Sequence, residues 1–391
     1  MNFNYAIVGN GIAGYTAAKE IRKNDKEGTI VLISEEPYET YYRIKITELI
    51  CEDDTTQPYV CDASWYEEHD VDKELNARVK EIIPEEKRLI LENGKEITAD
   101  KILLAVGASA FVPPIKGVEK KGIFALRKYE DLIQFREYVE KYDRVAVLGG
   151  GILGLEAAES LKELGKEVSI IDRSDYVMTR QLNRELGLSL NEQLKDEGYS
   201  VYLNKNTECF LGDDKVEGIQ FDDGTSIEVD AVLMSMGVRP NLELVKDTAI
   251  EINRGILVNE KMETSVEGIY AAGDVVEVHD QVLGLWTASM EMGKVAGSNL
   301  SGVEATYDVP KLFTKLDMGD VQIFSVGAIG EGDVYKYDEG VEHHRLFVKD
   351  GIVTGAILYG NTKAMGKVKN YVYQQKAIAD VQEEVYPFTK A

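Results

Sequence analysis

The strongest constraint on the fold is a glycine pattern near the start of the chain. Tyr5 to Val8 is a short apolar run typical of a buried strand, and Gly9, Gly11 and Gly14 follow it with the spacing G-x-G-x-x-G. A helix is predicted from Tyr15 to Ile21. The first glycine of such a loop permits a sharp turn, the second lets the backbone approach a pyrophosphate, and the third lets helix and strand pack closely. One copy is a weak signal, because glycine-rich turns also arise from packing alone.

The chain repeats this unit in its middle part. Arg144 to Leu148 is a predicted strand, Gly149, Gly151 and Gly154 repeat the spacing, and a helix is predicted as far as Leu164. Two copies in the same strand-to-helix context are a much stronger signal than one. We therefore predict two dinucleotide-binding sites, one at the first glycine loop (Gly9 to Gly14) and one at the second glycine loop (Gly149 to Gly154).

An acidic residue follows each glycine loop at the end of the next predicted strand. Glu35 or Glu36 ends the first such strand, and Asp172 ends the second. A carboxylate about 20 residues beyond the loop binds the adenosine ribose in dinucleotide sites, although strand ends are often acidic for other reasons. Asp172 would repel a 2′-phosphate and so favours NADH, whereas the neighbouring Arg173 keeps NADPH open.

The composition argues against several other classes of function. The formal charge is −25, which disfavours nonspecific binding to nucleic acids or to anionic membranes. The three cysteines (Cys51, Cys61 and Cys209) and the four histidines show no metal-ligand or disulfide spacing, so no metal site is predicted. The chain enters a strand at once and contains no apolar run long enough to span a membrane, so we expect a cytoplasmic protein.

Together with later segments, the two loops resemble the FAD-dependent pyridine nucleotide reductases with the glutathione-reductase-like fold. The segments that carry the resemblance are, in family order, Gly9 to Gly14, Leu104 to Ala108, Gly149 to Glu156, Gly237 to Asn241 and Ala271 to Asp274. The resemblance implies an α/β fold with two dinucleotide-binding domains and a small α+β C-terminal domain. The implied boundaries are 1–112 and 241–303 for the FAD-binding domain, 113–240 for the NAD-binding domain and 304–391 for the C-terminal domain.

The resemblance also implies which residues hold each cofactor. The implied FAD-binding residues are Gly9, Gly11, Ile12, Ala13, Gly14, Glu35, Arg43, Val79, Ala105, Gly107, Gly273, Asp274, Trp286 and Thr287. The implied NAD-binding residues are Gly149, Gly151, Ile152, Gly154, Glu156, Asp172 and Gly237.

Three of these residues also have an interpretation from their own chemistry. The planar guanidinium of Arg43 can neutralise a pyrophosphate, although a surface arginine packed on tyrosine is the plainer alternative. Asp274 follows a short buried strand and a glycine, which can bring its carboxylate to a ribityl hydroxyl. Glu156 is expected to position the nicotinamide, but an acid in the first turn of a helix also stabilises the helix dipole.

Within this family the nearest resemblance is to the NADH:rubredoxin oxidoreductases and to the reductase part of the NAD(P)H nitrite reductase large subunit. It is carried by Tyr41 to Arg43, Arg180 to Leu182, Arg254 to Asn259, Met262 to Ser265 and the short segment Val303 to Ala391.

Two departures from related patterns matter. The redox cysteine pair of the disulfide reductases is absent, and Cys51 and Cys61 are better explained as small packing residues. Glu48 occupies the position that we align with a lysine near the flavin of oxygenase-coupled ferredoxin reductases. The first departure argues against a disulfide reductase, and the second lowers the match to the oxygenase-coupled ferredoxin reductases.

The implied function is electron transport from NADH through FAD to a small one-electron carrier, most simply rubredoxin. NADH gives up two electrons as a hydride, rubredoxin iron accepts one electron at a time, and a flavin can do both. The protein must then hold the nicotinamide against the flavin at about 3–3.5 Å. The alternatives are an NADH oxidase or nitrite-reductase-type diaphorase and, from another class, a redox-dependent flavin-binding signalling protein similar to apoptosis-inducing factor.

The last part of the chain gives weaker signals. Lys315 to Val326 and His344 to Leu358 are predicted as strands of an antiparallel sheet, and Lys363 to Asp380 as a helix. Rubredoxins of this type are usually acidic, so docking on an acidic reductase needs a local basic or apolar patch. The densest basic run in this part is Lys363, Lys367, Lys369 and Lys376, although a solvated helix face is the favoured explanation of this run. Monomer and homodimer are both left open.

Overall fold

The computed structural model of the chain describes residues 1–52 and 58–391, which form two compact units. The described residues of the first unit are 1–45, 58–111 and 237–310, and those of the second unit are 46–52, 112–236 and 311–391. The segment 46–52 therefore packs in the second unit, although it lies within the first predicted domain segment.

The elements alternate between strands and helices in the parts that carry the glycine loops. The helices are α1 (Ile12–Asn24), α2 (Ser64–Glu68), α3 (Tyr129–Val139), α4 (Ile152–Glu163), α5 (Arg184–Asp196), α6 (Trp286–Leu300), α7 (Met365–Tyr373) and α8 (Ile378–Val381). The strands are β1 (Asn2–Val8), β2 (Ile30–Ile33), β3 (Val71–Glu74), β4 (Val79–Ile83), β5 (Arg88–Leu91), β6 (Glu96–Leu104), β7 (Ala108–Ala110), β8 (Ile123–Phe124), β9 (Arg144–Leu148), β10 (Glu167–Ile171), β11 (Ser200–Tyr202), β12 (Thr207–Leu211), β13 (Gly218–Phe221), β14 (Ser226–Glu228), β15 (Ala231–Met234), β16 (Val238–Pro240), β17 (Ile256–Leu257), β18 (Ile269–Ala271), β19 (Val276–Glu277), β20 (Phe313–Met318), β21 (Val321–Gly327), β22 (Asp333–Glu339), β23 (Glu342–Lys349), β24 (Ile352–Tyr359) and β25 (Thr389–Lys390).

The first unit is built on a mixed sheet in the order β3-β2-β1-β6-β5-β4, with β18 also paired to β6. The parallel strands β1, β6 and β18 end in register, with Val8 beside Leu104 and Leu104 beside Ala271. The residues that follow these strands therefore meet at one edge of the sheet, where open α/β sheets bind their ligands.

The antiparallel part of this sheet agrees with the sequence except at one point. The sequence predicts strands at Val79 to Ile83 and Arg88 to Leu91 around the turn Asn93-Gly94, and both strands are present. The sequence also predicts an antiparallel strand at Glu96 to Thr98 and a buried strand at Lys101 to Val106. Both stretches are strands, but they are joined in β6, which pairs antiparallel with β5 from Glu96 to Thr98 and parallel with β1 from Thr98 to Leu104. Strand β3 was not predicted.

Helix α1 packs against α6 through unusually close backbone contact. An added Cβ on Gly293 would lie 2.3 Å from the carbonyl oxygen of Ala13, and one on Gly297 would lie 2.6 Å from that of Ala17. Atoms cannot approach so closely, so only glycine permits this spacing of the two helices. The segment around α6 is thereby fixed against the helix that follows the first glycine loop.

The second unit contains a parallel sheet in the order β11-β10-β9-β15-β8 and a separate antiparallel sheet in the order β12-β13-β14. In this part the sequence predicts two strands, Glu217 to Phe221 and Ser226 to Val229, joined through Asp222-Asp223-Gly224, and the structure pairs them as β13 and β14. Its third strand, β12, was not predicted. Strand β9 lies between β10 and β15 and is buried from Val145 to Leu148.

The second unit also includes a sheet built from the C-terminal segment, in the order β20-β21-β24-β23-β22-β25, with α7 packed over β21 and β24. The antiparallel sheet was predicted, but each of the two predicted strands is a pair of strands joined by a turn, at Gly319 (φ 52°) and Gly351 (φ 78°). The prediction of one helix from Lys363 to Asp380 is also wrong. The helix ends at Tyr373, and Gln375 adopts a positive φ of 51°. The backbone then pairs with the start of β24, where Val353 N–H donates to the carbonyl of Lys376.

No helix among the described residues is both long and apolar enough to cross a membrane. In the same residues, no group of three or more His, Cys, Asp or Glu side chains is arranged to bind a metal.

Candidate functional site: two glycine loops

The first glycine loop leaves β1 through a turn that only glycine can make. Gly9 has a φ of 116°, and an added Cβ would lie 2.1 Å from the carbonyl oxygen of Ala105. An added Cβ on Gly14 would lie 1.9 Å from the carbonyl oxygen of Gly9. Both contacts involve backbone atoms that cannot move aside. Glycine at these two positions therefore lets the turn pack against the end of β6 and lets α1 pack against the turn.

The middle glycine of this loop behaves differently. Gly11 has an ordinary φ of −82°, and an added Cβ would meet no protein atom within 4 Å. The space in front of it is therefore open to a ligand. Helix α1 begins at the next residue with no acid in its first turn, so its free N–H groups present positive charge to that space. These features fit a pyrophosphate.

Asn10 is fixed by side chains that the motif does not reveal. Its Oδ1 accepts from Thr40 Oγ1 at 2.7 Å and from Tyr66 Oη at 3.1 Å, and its Nδ2 donates to the carbonyl of Tyr38 at 3.2 Å. Thr40 and Tyr66 are fully buried. A network that uses both ends of the Asn10 amide holds the loop in one conformation.

The two candidate ribose acids of the first unit have different surroundings. Both carboxylate oxygens of Glu36 are engaged, because they accept from Tyr41 Oη and Arg43 Nη2, each at 2.7 Å. Glu35 is 43% exposed at its side chain and lies 3.8 Å from Arg78 Nε. Arg78 directly precedes Val79, the first residue of β4, so the structure brings the end of β2 to the start of β4.

Arg43 begins a short 3-10 turn and lies between acids. Its guanidinium carbon sits 4.8 Å from the centre of the Tyr41 ring, and its Nη2 pairs with Glu36. Burial lowers the pKa of the Arg43 guanidinium, but the charges of Tyr41, Glu36 and Asp274 outweigh that effect and raise it. Arg43 therefore stays charged in a largely enclosed position close to Asp274.

The segment Ala271 to Asp274, which follows the parallel sheet of the second unit in the chain, lies beside the first glycine loop. Gly273 has a φ of 89°, and an added Cβ would lie 3.0 Å from that of Ala13. Asp274 Oδ1 accepts from Ser289 Oγ at 2.8 Å, which links it to α6. The structure thus places Gly273 beside Ala13 of the first glycine loop, although the two residues are far apart in the chain.

Trp286 and Thr287 form the first turn of α6. The Trp286 ring stacks on Tyr42 with a centroid distance of 5.5 Å and an interplanar angle of 28°. Thr287 is exposed. The N-terminus of α6 has no acid in its first turn, so it also presents uncapped N–H groups beside Asp274.

Gly107 and Gly237 occupy a second connection within the first unit. Gly107 has a φ of 66°, and its carbonyl accepts from the backbone N–H of Asn241 at 3.0 Å. Gly237 has a φ of 86°, and its carbonyl accepts from Phe111 N–H at 2.8 Å. Gly237 therefore lies in the first unit, whereas the other residues predicted to bind NADH lie in the second.

The second glycine loop repeats the geometry of the first. Gly149 has a φ of 119°, and an added Cβ would lie 2.2 Å from the carbonyl oxygen of Ser235. The same test on Gly154 gives 2.0 Å to the carbonyl oxygen of Gly149, whereas Gly151 again meets nothing within 4 Å. Helix α4 starts at Ile152 without an acid in its first turn. This loop therefore also fits a pyrophosphate.

Asp172 closes the second loop from the end of β10. Its Oδ2 accepts from the backbone N–H of Gly150 at 2.7 Å, and its Oδ1 accepts from Ser174 N–H at 2.8 Å. Met178 N–H in turn donates to the carbonyl of Gly150 at 2.8 Å, and Met178 has a φ of 56°. The acid predicted to bind ribose therefore also holds the loop in shape.

Glu156 faces the segment 46–52 within the second unit. Its Oε2 accepts from Thr47 Oγ1 at 3.3 Å, and one turn further along α4 Ser160 Oγ donates to the carbonyl of Thr47 at 2.9 Å. Burial raises the pKa of the Glu156 carboxyl, and the hydrogen bond from Thr47 offsets part of this effect. Glu156 thus has a defined partner and a partly desolvated carboxylate.

The cysteines have no arrangement suited to redox chemistry. All three lie in the described part of the chain and are free. Burial raises the pKa of the Cys51 and Cys61 thiols, which disfavours the reactive thiolate.

Sequence reasoning missed the residues that fix these loops from outside. They are Thr40 and Tyr66 beside Asn10, Gly293 and Gly297 on α6, Thr47 beside Glu156, and Met178 beside Gly150. Of these residues, only Gly293 and Gly297 could have been identified from the sequence, because glycines four residues apart on a helix indicate a face that another backbone approaches.

Comparisons with known proteins cover nearly the whole chain. Residues 3–293 match the family described as Pyridine nucleotide-disulphide oxidoreductase, and residues 313–376 match the Rubredoxin NAD+ reductase C-terminal domain. The Nitrite reductase [NAD(P)H] of Bacillus subtilis is 34% identical over 96% of this chain, but the chain spans only 48% of that protein. The NADH-rubredoxin oxidoreductase of Clostridium acetobutylicum is 30% identical over 96% of both chains.

The fold has a close counterpart among solved structures. The crystal structure of NADH:rubredoxin oxidoreductase from Clostridium acetobutylicum superposes with a TM-score of 0.85 at 28% identity. The match covers 97% of each chain. The predicted fold class, with two dinucleotide-binding domains and a C-terminal sheet domain, is confirmed.

Proposed function

The chain belongs to the pyridine nucleotide-disulphide oxidoreductase family, and from this premise we propose that it is a flavoprotein reductase that passes electrons from NADH through FAD to rubredoxin. FAD and NADH are its cofactors. The observation that carries the choice of rubredoxin is the match of residues 313–376 to the Rubredoxin NAD+ reductase C-terminal domain, directly after the reductase segment. The three cysteines are free, and burial raises the pKa of the Cys51 and Cys61 thiols, which supports an acceptor that is not reached through a disulfide.

The first glycine loop holds FAD in this proposal. Gly11 leaves room for the pyrophosphate, the N–H groups of α1 bind it, and Arg43 neutralises it. Glu35 is the better candidate for the adenosine ribose, since Glu36 already holds Arg43 and Tyr41. Asp274 accepts from a ribityl hydroxyl while Ser289 fixes its orientation.

The second glycine loop holds NADH. Gly151 and the start of α4 receive its pyrophosphate, and Asp172 orders the loop and meets the adenosine ribose. Glu156, held by Thr47, positions the nicotinamide carboxamide. FAD held at the first loop would supply the conversion between two-electron and one-electron chemistry, so no side chain of the protein has to act as an acid or a base. The contribution of these residues is alignment and exclusion of water.

Anaerobic steady-state assays test this proposal. Purified holoenzyme with NADH should reduce rubredoxin at a rate that saturates with rubredoxin concentration and far exceeds the rate with free FAD. A rate no higher than that with free FAD would overturn the proposal. Recombinant rubredoxin with its iron replaced by zinc provides the control, because it keeps its surface but accepts no electron.

A second candidate function is the NADH-oxidising part of a nitrite-reducing system. The observation in its favour is the 34% identity to a nitrite reductase that is about twice as long as this chain. It predicts that NADH oxidation by this chain depends on an added partner that carries the nitrite site, and that rubredoxin gives no saturable rate. Oxygen uptake under air measures the remaining alternative, an NADH oxidase.

A further inference from the structure

We propose that a surface formed by Lys311, Leu312, Phe313, Met365, Lys369 and Tyr373 docks a small acidic electron-carrier protein. We call it the lysine–aromatic surface. The inference rests on the proposed function, because it names where the acceptor binds. All six residues belong to the C-terminal segment of the second unit.

The surface is held together by direct contacts between two segments. The Lys369 Nζ lies 4.9 Å from the centre of the Phe313 ring and 5.9 Å from that of Tyr373. The Lys311 Nζ donates to the carbonyl of Tyr373 at 2.5 Å, and Tyr373 Oη donates to the carbonyl of Lys311. These reciprocal bonds fix the entry to edge strand β20 against the end of helix α7.

The helical part of the surface is the outward stripe of α7. Met365, Lys369 and Tyr373 are four residues apart and share one face of the helix. The opposite face buries Val368 and Tyr371 in the core of the C-terminal sheet. The orientation of α7 is therefore set by its buried face. Met365 and Lys369 lie on the outward side, and the half-buried Tyr373 packs at the edge of the core.

The centre of the surface exposes apolar side chains that a packed fold would normally bury. Phe313 is 51% exposed, Leu312 is 40% exposed and Met365 is 39% exposed. Lys369 contacts the Phe313 ring, Met365 lies one helical turn before it, and Leu312 adjoins Phe313 in the chain. Exposed apolar side chains beside a cation are typical of protein interfaces.

The two lysines of the surface carry charge that is not neutralised by the protein. Neighbouring lysines of the same sheet pair with acids: Lys315 with Asp317 at 2.5 Å and Lys390 with Asp333 at 2.5 Å. Among the described residues, Lys311 and Lys369 have no carboxylate within 4.0 Å. Their ammonium groups contact aromatic rings and a carbonyl instead.

The charge of the whole chain decides what can bind there. At a net charge of −25, the protein repels polyanions and repels a second copy of itself. A small acidic carrier brings much less charge and can approach where local cations outweigh the general repulsion. Local complementarity of this kind raises association rates and fixes the orientation of the complex. The exposed apolar side chains at the centre of the surface then add buried area to the complex without adding charge.

Charge-reversal variants of the holoenzyme test the inference with rubredoxin as the probe. The test variant is Lys311→Glu/Lys369→Glu, and the neutral variant is Lys311→Gln/Lys369→Gln. The matched control is Lys26→Glu/Lys246→Glu, which changes the net charge equally at two exposed lysines of the first unit. Menadione, an uncharged small acceptor, reports whether NADH oxidation and FAD content are intact.

We expect kcat/KM for rubredoxin to fall about tenfold or more in Lys311→Glu/Lys369→Glu and less in the Gln variant. The dependence of kcat/KM on ionic strength should flatten in both, while the menadione rate and the control variant stay at the wild-type level. An unchanged kcat/KM and salt dependence in the charge-reversal variant would overturn the docking surface alone. Failure of the wild-type enzyme to reduce rubredoxin would overturn the proposed function and this inference together.

Discussion

The two glycine loops have the same internal geometry but different surroundings. Gly9 and Gly149 have φ angles of 116° and 119°, and their added Cβ atoms would lie 2.1 Å and 2.2 Å from a carbonyl oxygen. The middle glycines, Gly11 and Gly151, are open in both loops. The turn itself therefore does not decide which dinucleotide is bound, or how tightly.

The first loop is enclosed by backbone and buried side chains. Helix α6 approaches α1 closely at Gly293, and the buried Thr40 and Tyr66 fix Asn10. Such contacts can open only if packed elements separate. This enclosure suits a cofactor that stays bound through many turnovers, which we assign as FAD.

The second loop is enclosed by polar contacts. Asp172 accepts from the N–H of Gly150, and α4 meets the segment 46–52 through the side chains of Glu156 and Ser160. Each of these bonds contributes about 0.5–3 kcal/mol and can open by itself, without separating packed elements. This arrangement suits a substrate that must leave after each hydride transfer, which we assign as NADH.

The largest effects are expected from alanine at the last glycine of each loop. An added Cβ would lie 1.9 Å from a carbonyl oxygen in Gly14→Ala and 2.0 Å in Gly154→Ala, so each loop must deform. We expect Gly14→Ala to lose FAD and Gly154→Ala to keep FAD but lose about 100-fold or more in kcat/KM for NADH. Flavin absorbance after gel filtration and NADH:menadione kinetics measure the two outcomes.

This pair also tests whether the two loops act separately. Circular dichroism establishes that each variant is folded before cofactor content is compared. If Gly154→Ala lost its flavin while Gly14→Ala retained it, the assignment of the loops would be reversed.

A smaller effect is expected from Asp172→Asn. The amide keeps the shape of the side chain but loses one of the two acceptors that bind Gly150 N–H and Ser174 N–H. A charge-assisted hydrogen bond contributes about 1.5–3 kcal/mol, so KM for NADH should rise about tenfold or more with flavin content unchanged. Unchanged KM values for both NADH and NADPH would show that Asp172 has no part in nucleotide binding.

The smallest effect is expected from Glu156→Gln, and it depends on pH. Burial raises the pKa of the Glu156 carboxyl, so the folded wild type is penalised as pH rises from the ordinary value of 4.5 through the raised value. The variant should match the wild type near pH 4 and be more stable by about 1–2 °C in Tm near pH 8. Equal Tm differences at both pH values would mean that the carboxylate is not desolvated.

Much of this architecture could be predicted from local sequence. The two glycine loops, the strands before them and the return to Gly273 and Asp274 depend on short motifs, and a glycine at positive φ is a strong local signal. The single strand Glu96–Leu104 was not foreseen, because its continuity comes from pairing with β1 rather than from its own composition.

The outer supports of the loops could not be predicted in the same way. Thr40 is 30 residues from Asn10 in the chain, and Thr47 is 109 residues from Glu156. Such partners carry no periodicity or spacing, since the fold alone brings them together. The break of the C-terminal helix at Gln375 also depends on tertiary pairing, here with the start of β24.

Alanine at the middle glycines, Gly11→Ala and Gly151→Ala, tests the assignment of the two loops most directly. Both glycines have ordinary φ angles, and a Cβ added to either would meet no protein atom within 4 Å. Any loss must then come from the bound dinucleotide. The measurement is release of FAD from each holoenzyme on dilution, followed by flavin fluorescence. The account predicts that Gly11→Ala weakens FAD binding about 10–100-fold while Gly151→Ala leaves it unchanged. Weaker FAD binding in Gly151→Ala with wild-type binding in Gly11→Ala would contradict it.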